Sequence, residues 1–170
     1  LESAWKKDFN EFAPDMGVSV AFATNRDKAF ACDADVYVTN HDAAKWLAKQ
    51  PASFFKRFDT LIIDESTAFK HHTSQRSKAV AKIAKHFEYR RLLTGTPNSN
   101  GICDLWHQVF LLDNGTRLGK SFFGFRAAAC IPEQVGPSAN MIRWNDRPGI
   151  EATVSALIRD ITIRHRFEDC

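Results

Sequence analysis

Two adjacent carboxylates, Asp64 and Glu65, stand directly after the apolar run Leu61-Ile62-Ile63 in the stretch FDTLIIDESTAFK. A strand that ends in acids delivers them to a loop. There one carboxylate can hold a hydrated divalent cation while its neighbour orients or deprotonates an attacking water, the division of labour that phosphoryl transfer requires. An Asp-Glu pair in this position serves equally as a cap on the element that follows, and the pair alone does not choose between the two. A second loop of interest, Thr94-Gly95-Thr96-Pro97, closes the strand-like stretch Glu88–Leu93. In an open α/β sheet ligands gather at the carboxyl ends of the strands, so these two loops are where chemistry is expected. A metal-dependent nuclease would need further acidic or His ligands at a suggestive spacing from Asp64 and Glu65, and none stands out.

The elements that must position these loops follow from periodicity. Trp5, Phe9 and Phe12 fall at i, i+4 and i+7 and predict a helix over Ser3–Ala13, ended by Pro14. VSVAFAT after Gly17 and DVYVT over Asp35–Thr39 read as strands, with Asn25–Cys32 between them as a loop or brief helix. Ala43–Lys49 and Ala52–Arg57 are helical stretches around Pro51, leading into a central strand Thr60–Asp64. From Ser74 onward, Ala79, Val80, Ile83, Ala84 and Phe87 mark one side of a helix, and Ile102–Leu112 is helix-compatible. The aromatic segment Phe122–Arg126 follows a turn-rich link, Asn114–Gly119. Pro132–Pro148 is rich in proline, so residues 113–149 are expected to form an irregular excursion. A helix Ile150–Arg159 and a strand Asp160–Arg164 should close the chain. Alternating strand-like and helix-like stretches predict an α/β fold with a parallel sheet covered by helices.

Length and composition narrow the class. A chain of 170 residues has room for one core. Its net charge of +3 is too small to name a partner. No run approaches the ~18 consecutive apolar residues of a membrane helix, and the opening LESAWKKDFNEF is amphipathic rather than signal-like, so a cytoplasmic protein without a membrane partner is expected. Cys32, Cys103, Cys130 and Cys170 show no CxxC or Cys/His spacing, which predicts no zinc site and buried or idle thiols. His71 and His72 read as an exposed loop pair. Lys70, Arg76, Lys78, Lys82, Lys85, Arg90 and Arg91 stand against the lone acid Glu88, a stripe that is either a solvated face or a phosphate-facing one.

LIIDE followed by RLLTGTP resembles motifs II and III of superfamily 2 helicases and translocases. Further residues narrow the match to SNF2-type proteins. Trp5 with KKDFNEFAP resembles their tryptophan-acidic-phenylalanine segment. Thr94, Gly95, Thr96, Pro97, Asn100, Asp104, Leu105 and Trp106 match the signature TGTP-x-x-N-x-x-x-[DE]-L-W. FLLDNGTRLGKSFFGFR looks most like the SNF2-related helicases of bacteriophages and prophages, which would place the protein in a bacterial host's cytoplasm.

The resemblance implies a RecA-like three-layer α/β/α lobe with a mostly parallel sheet, residues 1–170 forming a partial first lobe of an ATP-dependent DNA motor. It implies that Asp64 coordinates Mg²⁺ bound to ATP, and that Glu65 activates the hydrolytic water. Thr94, Gly95 and Thr96 would couple nucleotide state to DNA and to the second lobe, while Thr39, Asn40 and Asn100 would contact the backbone of duplex DNA. Asn40 also reads as a cap for the helix after it. One departure is Thr67, where many relatives carry His or Gln to contact the threonine turn.

A motor of this kind needs GxxxxGK[ST]. The Gly119-Lys120-Ser121 triplet has Asn114 in the first glycine's place and lies after the TGTP turn, so it is rejected as that loop. Arg164 and Arg166 resemble the arginine pair that closes the first SNF2 lobe. The chain therefore reads as a piece lacking the phosphate loop and the second lobe, not expected to hydrolyse ATP efficiently alone. The competing reading is a stand-alone module, derived from a decayed motor lobe, that binds nucleic acid or a protein. An open sheet edge would favour a homodimer.

Overall fold

Two parallel strand pairs, each bridged by a helical crossover, form the frame in a computed structural model that describes residues 4–164. The chain divides into two units, Leu1–Phe54 and Phe55–Cys170.

In the first unit α1 (Ala4–Phe12) precedes β1 (Val18–Ala21), α2 (Arg26–Ala31), β2 (Val36–Thr39) and α3 (Ala43–Leu47), with α4 (Ala52–Phe55) at the boundary. β1 and β2 pair in parallel from Val18 opposite Val36 to Ala21 opposite Thr39. Parallel neighbours cannot be joined by a tight turn, so the ambiguous Asn25–Cys32 stretch becomes the crossover helix α2. Its Phe30 is buried and stacks on Tyr37 and Trp46, with centroids 5.5 and 5.4 Å apart. On α1 the Trp5 and Phe9 rings are half-buried and meet at 6.3 Å, but Phe12 is 79% exposed, so the predicted apolar face is covered only in part.

The second unit contains β3 (Thr60–Ile63), a 3-10 turn (Ser66–Phe69), α5 (Gln75–Ala84), β4 (Tyr89–Leu92) and α6 (Cys103–Asp113). α7 (Phe122–Ala129), β5 (Cys130–Gln134), β6 (Ile142–Asp146) and α8 (Ile150–Ile158) follow. β3 and β4 run parallel with Ile63 opposite Leu92. α5 crosses between them, its start fixed by the Ser74 hydroxyl, which accepts the Ser77 amide at 3.1 Å. Ala79, Val80, Ile83 and Ala84 are buried as the sequence predicted, and full burial of a side chain such as Ile83 contributes about 1.5–3 kcal/mol. A second cluster gathers Ile102, Trp106, Val109, Leu118, Ala129, Cys130 and Val154. Among the described residues no helix is long and apolar enough to cross a membrane.

Two expectations are corrected. Residues 113–149 are not an irregular excursion: they hold all of α7 and an antiparallel hairpin, β5 with β6, from Cys130 opposite Asp146 to Gln134 opposite Ile142. Nearly every hairpin residue beyond Cys130 and Trp144 is exposed, so the strands lack the apolar alternation that marks a half-buried strand. Glu133 faces Arg143 instead, and Pro132 is tolerated because a two-stranded hairpin leaves each strand an open edge. The strand expected over Asp160–Arg164 is also absent. A 3-10 turn, Arg159–Ile161, stands there, with Asp160 bound by the Arg117 guanidinium at 3.1 Å from Nε and 2.5 Å from Nη2. Arg164 is exposed and irregular, and Arg166 and Cys170 lie outside the described residues.

Candidate functional site

The two loops singled out by sequence are laced together by backbone. Beyond the last β3–β4 pair, the Leu93 amide donates to the Ile63 carbonyl at 2.9 Å, and the Ser66 amide donates to the Leu93 carbonyl at 3.0 Å. Asp64 and Glu65 lie between these bonds and are exposed. Glu65 adopts the left-handed conformation, φ 49 and ψ 52, and its amide donates to Asp64 Oδ1 at 2.9 Å. That conformation costs a non-glycine residue roughly 1 kcal/mol, so the bend is imposed by the bonds around it. Glu65 precedes the 3-10 turn without a side-chain bond to it, so that carboxylate is not serving as its cap.

α6 ties the two loops a second time through side chains. The Ser66 hydroxyl donates to Gln108 Oε1 at 2.8 Å, and Gln108 Nε2 donates to the Pro97 carbonyl at 2.6 Å and the Asp104 carbonyl at 3.0 Å. Asp104 Oδ2 accepts Lys70 Nζ at 2.8 Å and the Asn100 amide at 3.0 Å, and Lys70 also donates to Ser99 Oγ at 3.1 Å. His107 is buried with Nδ1 2.5 Å from the Phe69 carbonyl; a carbonyl only accepts, so Nδ1 carries the proton. Burial holds this imidazole below the usual histidine range, partly offset by that bond.

Within the threonine turn, Thr94 Oγ1 is buried and has no hydrogen-bond partner among the described residues. Gly95 has an ordinary backbone conformation and open space where a Cβ would stand, and Thr96 is exposed. In the first unit the Thr39 hydroxyl donates to the Ala21 carbonyl at 2.8 Å. Asn40 Oδ1 accepts Arg26 Nη2 at 3.3 Å, so its side chain holds α2 rather than capping α3.

A family model for the SNF2-related domain matches residues 1–169. The chain belongs to this family. It is 39% identical over 97 residues to protein p41 of Acyrthosiphon pisum secondary endosymbiont phage 1, covering 54% of this chain and 21% of that protein. It is 31% identical over 121 residues to the ATP-dependent helicase FUN30 of Saccharomyces cerevisiae, covering 65% of this chain and 10% of the relative. Among solved structures it resembles the SWI2/SNF2 ATPase core of Sulfolobus solfataricus, determined in complex with double-stranded DNA. The TM-score is 0.67 at 25% identity, with 95% of this chain and 31% of that one covered. The fold is thus RecA-like α/β, and the chain spans less than a third of the length of each of these proteins.

Within this SNF2-related domain, Ser66, directly before Thr67, reaches the threonine turn through Gln108 and Pro97. Sequence reasoning does not mark Ser66, His107 or Gln108 as site residues, and it places Lys70 only in the basic stripe. The available signal for Gln108 was its i, i+4 spacing from Asp104, which places two polar groups on one face of a mainly apolar helix. The basic stripe is broken up: Lys70 pairs with Asp104, and Arg90 Nη1 donates to the Leu111 carbonyl and Asn114 Oδ1, both at 3.2 Å. His72 is not an exposed loop residue but lies half-buried against Phe122, with centroids 4.3 Å apart, and edge-on to Trp106.

Proposed function

We propose that this SNF2-related domain handles Mg²⁺-bound ATP at the Asp64-Glu65 step, within a protein that converts ATP hydrolysis into movement along DNA. The observation that carries the reading is the pair of backbone bonds that clamps Asp64-Glu65 to Leu93, the residue directly before Thr94-Gly95-Thr96. The solved relative in complex with double-stranded DNA supports duplex DNA as the track.

The donor set fits the nucleotide. Asp64 and Glu65 present hard oxygens to solvent, and among the described residues no group of three or more His, Cys, Asp or Glu side chains is gathered to hold a metal. Such a site suits Mg²⁺, which is held by one or two carboxylates while phosphates and water supply the other oxygens. Bound MgATP supplies the scissile phosphoanhydride and the charge that neutralises its oxygens. Asp64 would hold the ion, and Glu65 would orient the attacking water and take its proton. Thr94, Gly95 and Thr96 sense the nucleotide, and a shift there reaches Asp64-Glu65 through Leu93 and Ser66. Thr39, Asn40 and Asn100 contact the DNA backbone.

The test is Glu65→Gln in the natural protein that carries this domain, assayed for ATP binding and DNA-stimulated hydrolysis. Retained binding with hydrolysis reduced at least about 100-fold is the expected result for loss of a general base. Turnover within a factor of about two of the parent would overturn the assignment.

A further inference from the structure

We propose that Cys103 and Cys130 form a modification site, a dithiol that exchanges with an oxidised low-molecular-weight disulfide to give a reversible intrachain disulfide fastening the β5–β6 hairpin to the start of α6. The sulfur atoms are 3.3 Å apart, and both residues carry free thiols. They come from α6 and β5, 27 positions apart in sequence. To reach a disulfide bond length of about 2.05 Å the sulfurs have to close by roughly 1.2 Å.

The surroundings divide the labour between the two sulfurs. Cys103 is half-buried while Cys130 is buried, so an external disulfide reaches Cys103 first. Cys130 Sγ also lies 3.6 Å from Asp146 Oδ1. In the first step the Cys103 thiolate attacks one sulfur of the small disulfide, forming a mixed disulfide and releasing one small thiolate, which takes up a proton. In the second step Cys130 gives up its proton to hydroxide and attacks the Cys103 sulfur, so the Cys103–Cys130 bond forms as the second small thiolate leaves and takes a proton from water. Two protein thiols and one small disulfide become one protein disulfide and two small thiols. Burial raises both thiols, and Cys130 is pushed up to about 12, so exchange is slow at neutral pH and faster as the pH rises.

The same neighbourhood says what the bond would hold. Asp146 Oδ2 accepts the Ile102 amide at 2.9 Å at the head of α6, and both its carboxylate oxygens lie 3.2 Å from where a Cβ on Gly101 would stand. Asp146 pairs across the hairpin with Cys130. In the reduced protein the hairpin is thus docked on α6 by hydrogen bonds; in the oxidised protein the docking is covalent.

The experiment uses the 170-residue chain carrying Cys32→Ser and Cys170→Ser, treated with oxidised glutathione at about pH 9, where the thiolate fractions exceed those at neutral pH. The expected product is a monomer lighter by two hydrogens, with a proteolytic fragment joining the Cys103 and Cys130 peptides, a raised Tm and full reversal by dithiothreitol. Adding Cys130→Ser should stop the reaction at a glutathione adduct on Cys103. Both thiols remaining open to alkylation after unfolding, a stable glutathione adduct on the two-cysteine protein, or disulfide-linked dimers would each overturn the proposal.

Discussion

The hydroxyl of Ser66 and the side-chain amide of Gln108 meet in a buried hydrogen bond of 2.8 Å, joining the loop after β3 to the middle of α6. The same amide holds the Pro97 carbonyl, so a single side chain braces both functional loops. Ser66→Ala leaves Gln108 Oε1 buried without this donor and is expected to cost about 1–3 kcal/mol. Gln108→Ala should cost more, because the Pro97 carbonyl and the Ser66 hydroxyl both lose their partner. Urea unfolding of the single and double variants would show sub-additive losses, since the two substitutions remove one shared bond.

Glu65 is held at φ 49, where glycine is at ease and a glutamate is not. Glu65→Gly should therefore leave stability unchanged or raise it by up to about 1 kcal/mol, whereas Glu65→Val should lower it by more than about 1 kcal/mol. Hydrolysis should be lost in both. A matched loss of stability and activity in the glycine variant would argue that Glu65 is structural.

Gly95 and Gly115 separate function from fold. A Cβ at Gly95 meets nothing within 4 Å, so Gly95→Ala should shift thermal stability by no more than about 0.5 kcal/mol. If the threonine turn works against a nucleotide or a neighbouring lobe, the same variant should still reduce DNA-stimulated turnover. Gly115 sits at φ 83, where a Cβ would lie 2.8 Å from the Gly119 carbonyl and 2.9 Å from Lys120 Cα. Gly115→Ala should lower stability by more than about 1 kcal/mol. Calorimetry on the two variants tests both statements.

His107 predicts an acid-side loss of stability. Its folded-state pKa is lowered by burial, so the folded protein prefers the neutral ring and the unfolded chain takes up the proton first. The contribution is intact above the unfolded value of 6.5 and falls away as the pH drops from there toward the lower folded value. His72, lowered chiefly by burial, adds in the same direction. Urea midpoints at about pH 7.5 and about pH 5.5 should differ, and His107→Gln, which can still donate to the Phe69 carbonyl, should narrow the difference.

Lys70 and Asp104 form the ion pair behind the threonine turn, with side chains only 14% and 12% exposed. Lys70→Met should cost about 2 kcal/mol, because Asp104 then loses its charged partner in a place with little water. That cost should change little with salt. The contribution of Arg117 with Asp160, whose acid is 67% exposed, should fade as ionic strength rises. Melting curves in low and high salt would separate the two.

Much of the frame was legible because its signals are local. Leu61-Ile62-Ile63 before the acids and the 3.6-residue spacing of Ala79, Val80, Ile83 and Ala84 each depend on neighbours in the chain; β3 formed within a residue of its expected bounds, while α5 ends at Ala84, short of Phe87, the last apolar position expected on its face. The β5–β6 hairpin was not legible, since its pairing rests on backbone bonds and on anchors at Cys130 and Trp144 rather than on a buried face. The expected strand at Asp160–Arg164 failed for the opposite reason: a suitable local pattern met no neighbouring strand, and the ion pair with Arg117 held a turn instead.

For the site, sequence by itself determined the chemistry on offer: paired carboxylates at a strand tip, a TGTP turn and membership of the SNF2-related family, because these are properties of residue type and order. Tertiary structure alone decided how the two loops are joined. Ser66 and Leu93, and Ser66 and Gln108, become neighbours only when the parallel β3–β4 pair brings the strand tips together and α6 packs against them, and Cys103 meets Cys130 only where the start of β5 reaches the head of α6. Contacts between distant segments carry no local pattern, and packing chooses them.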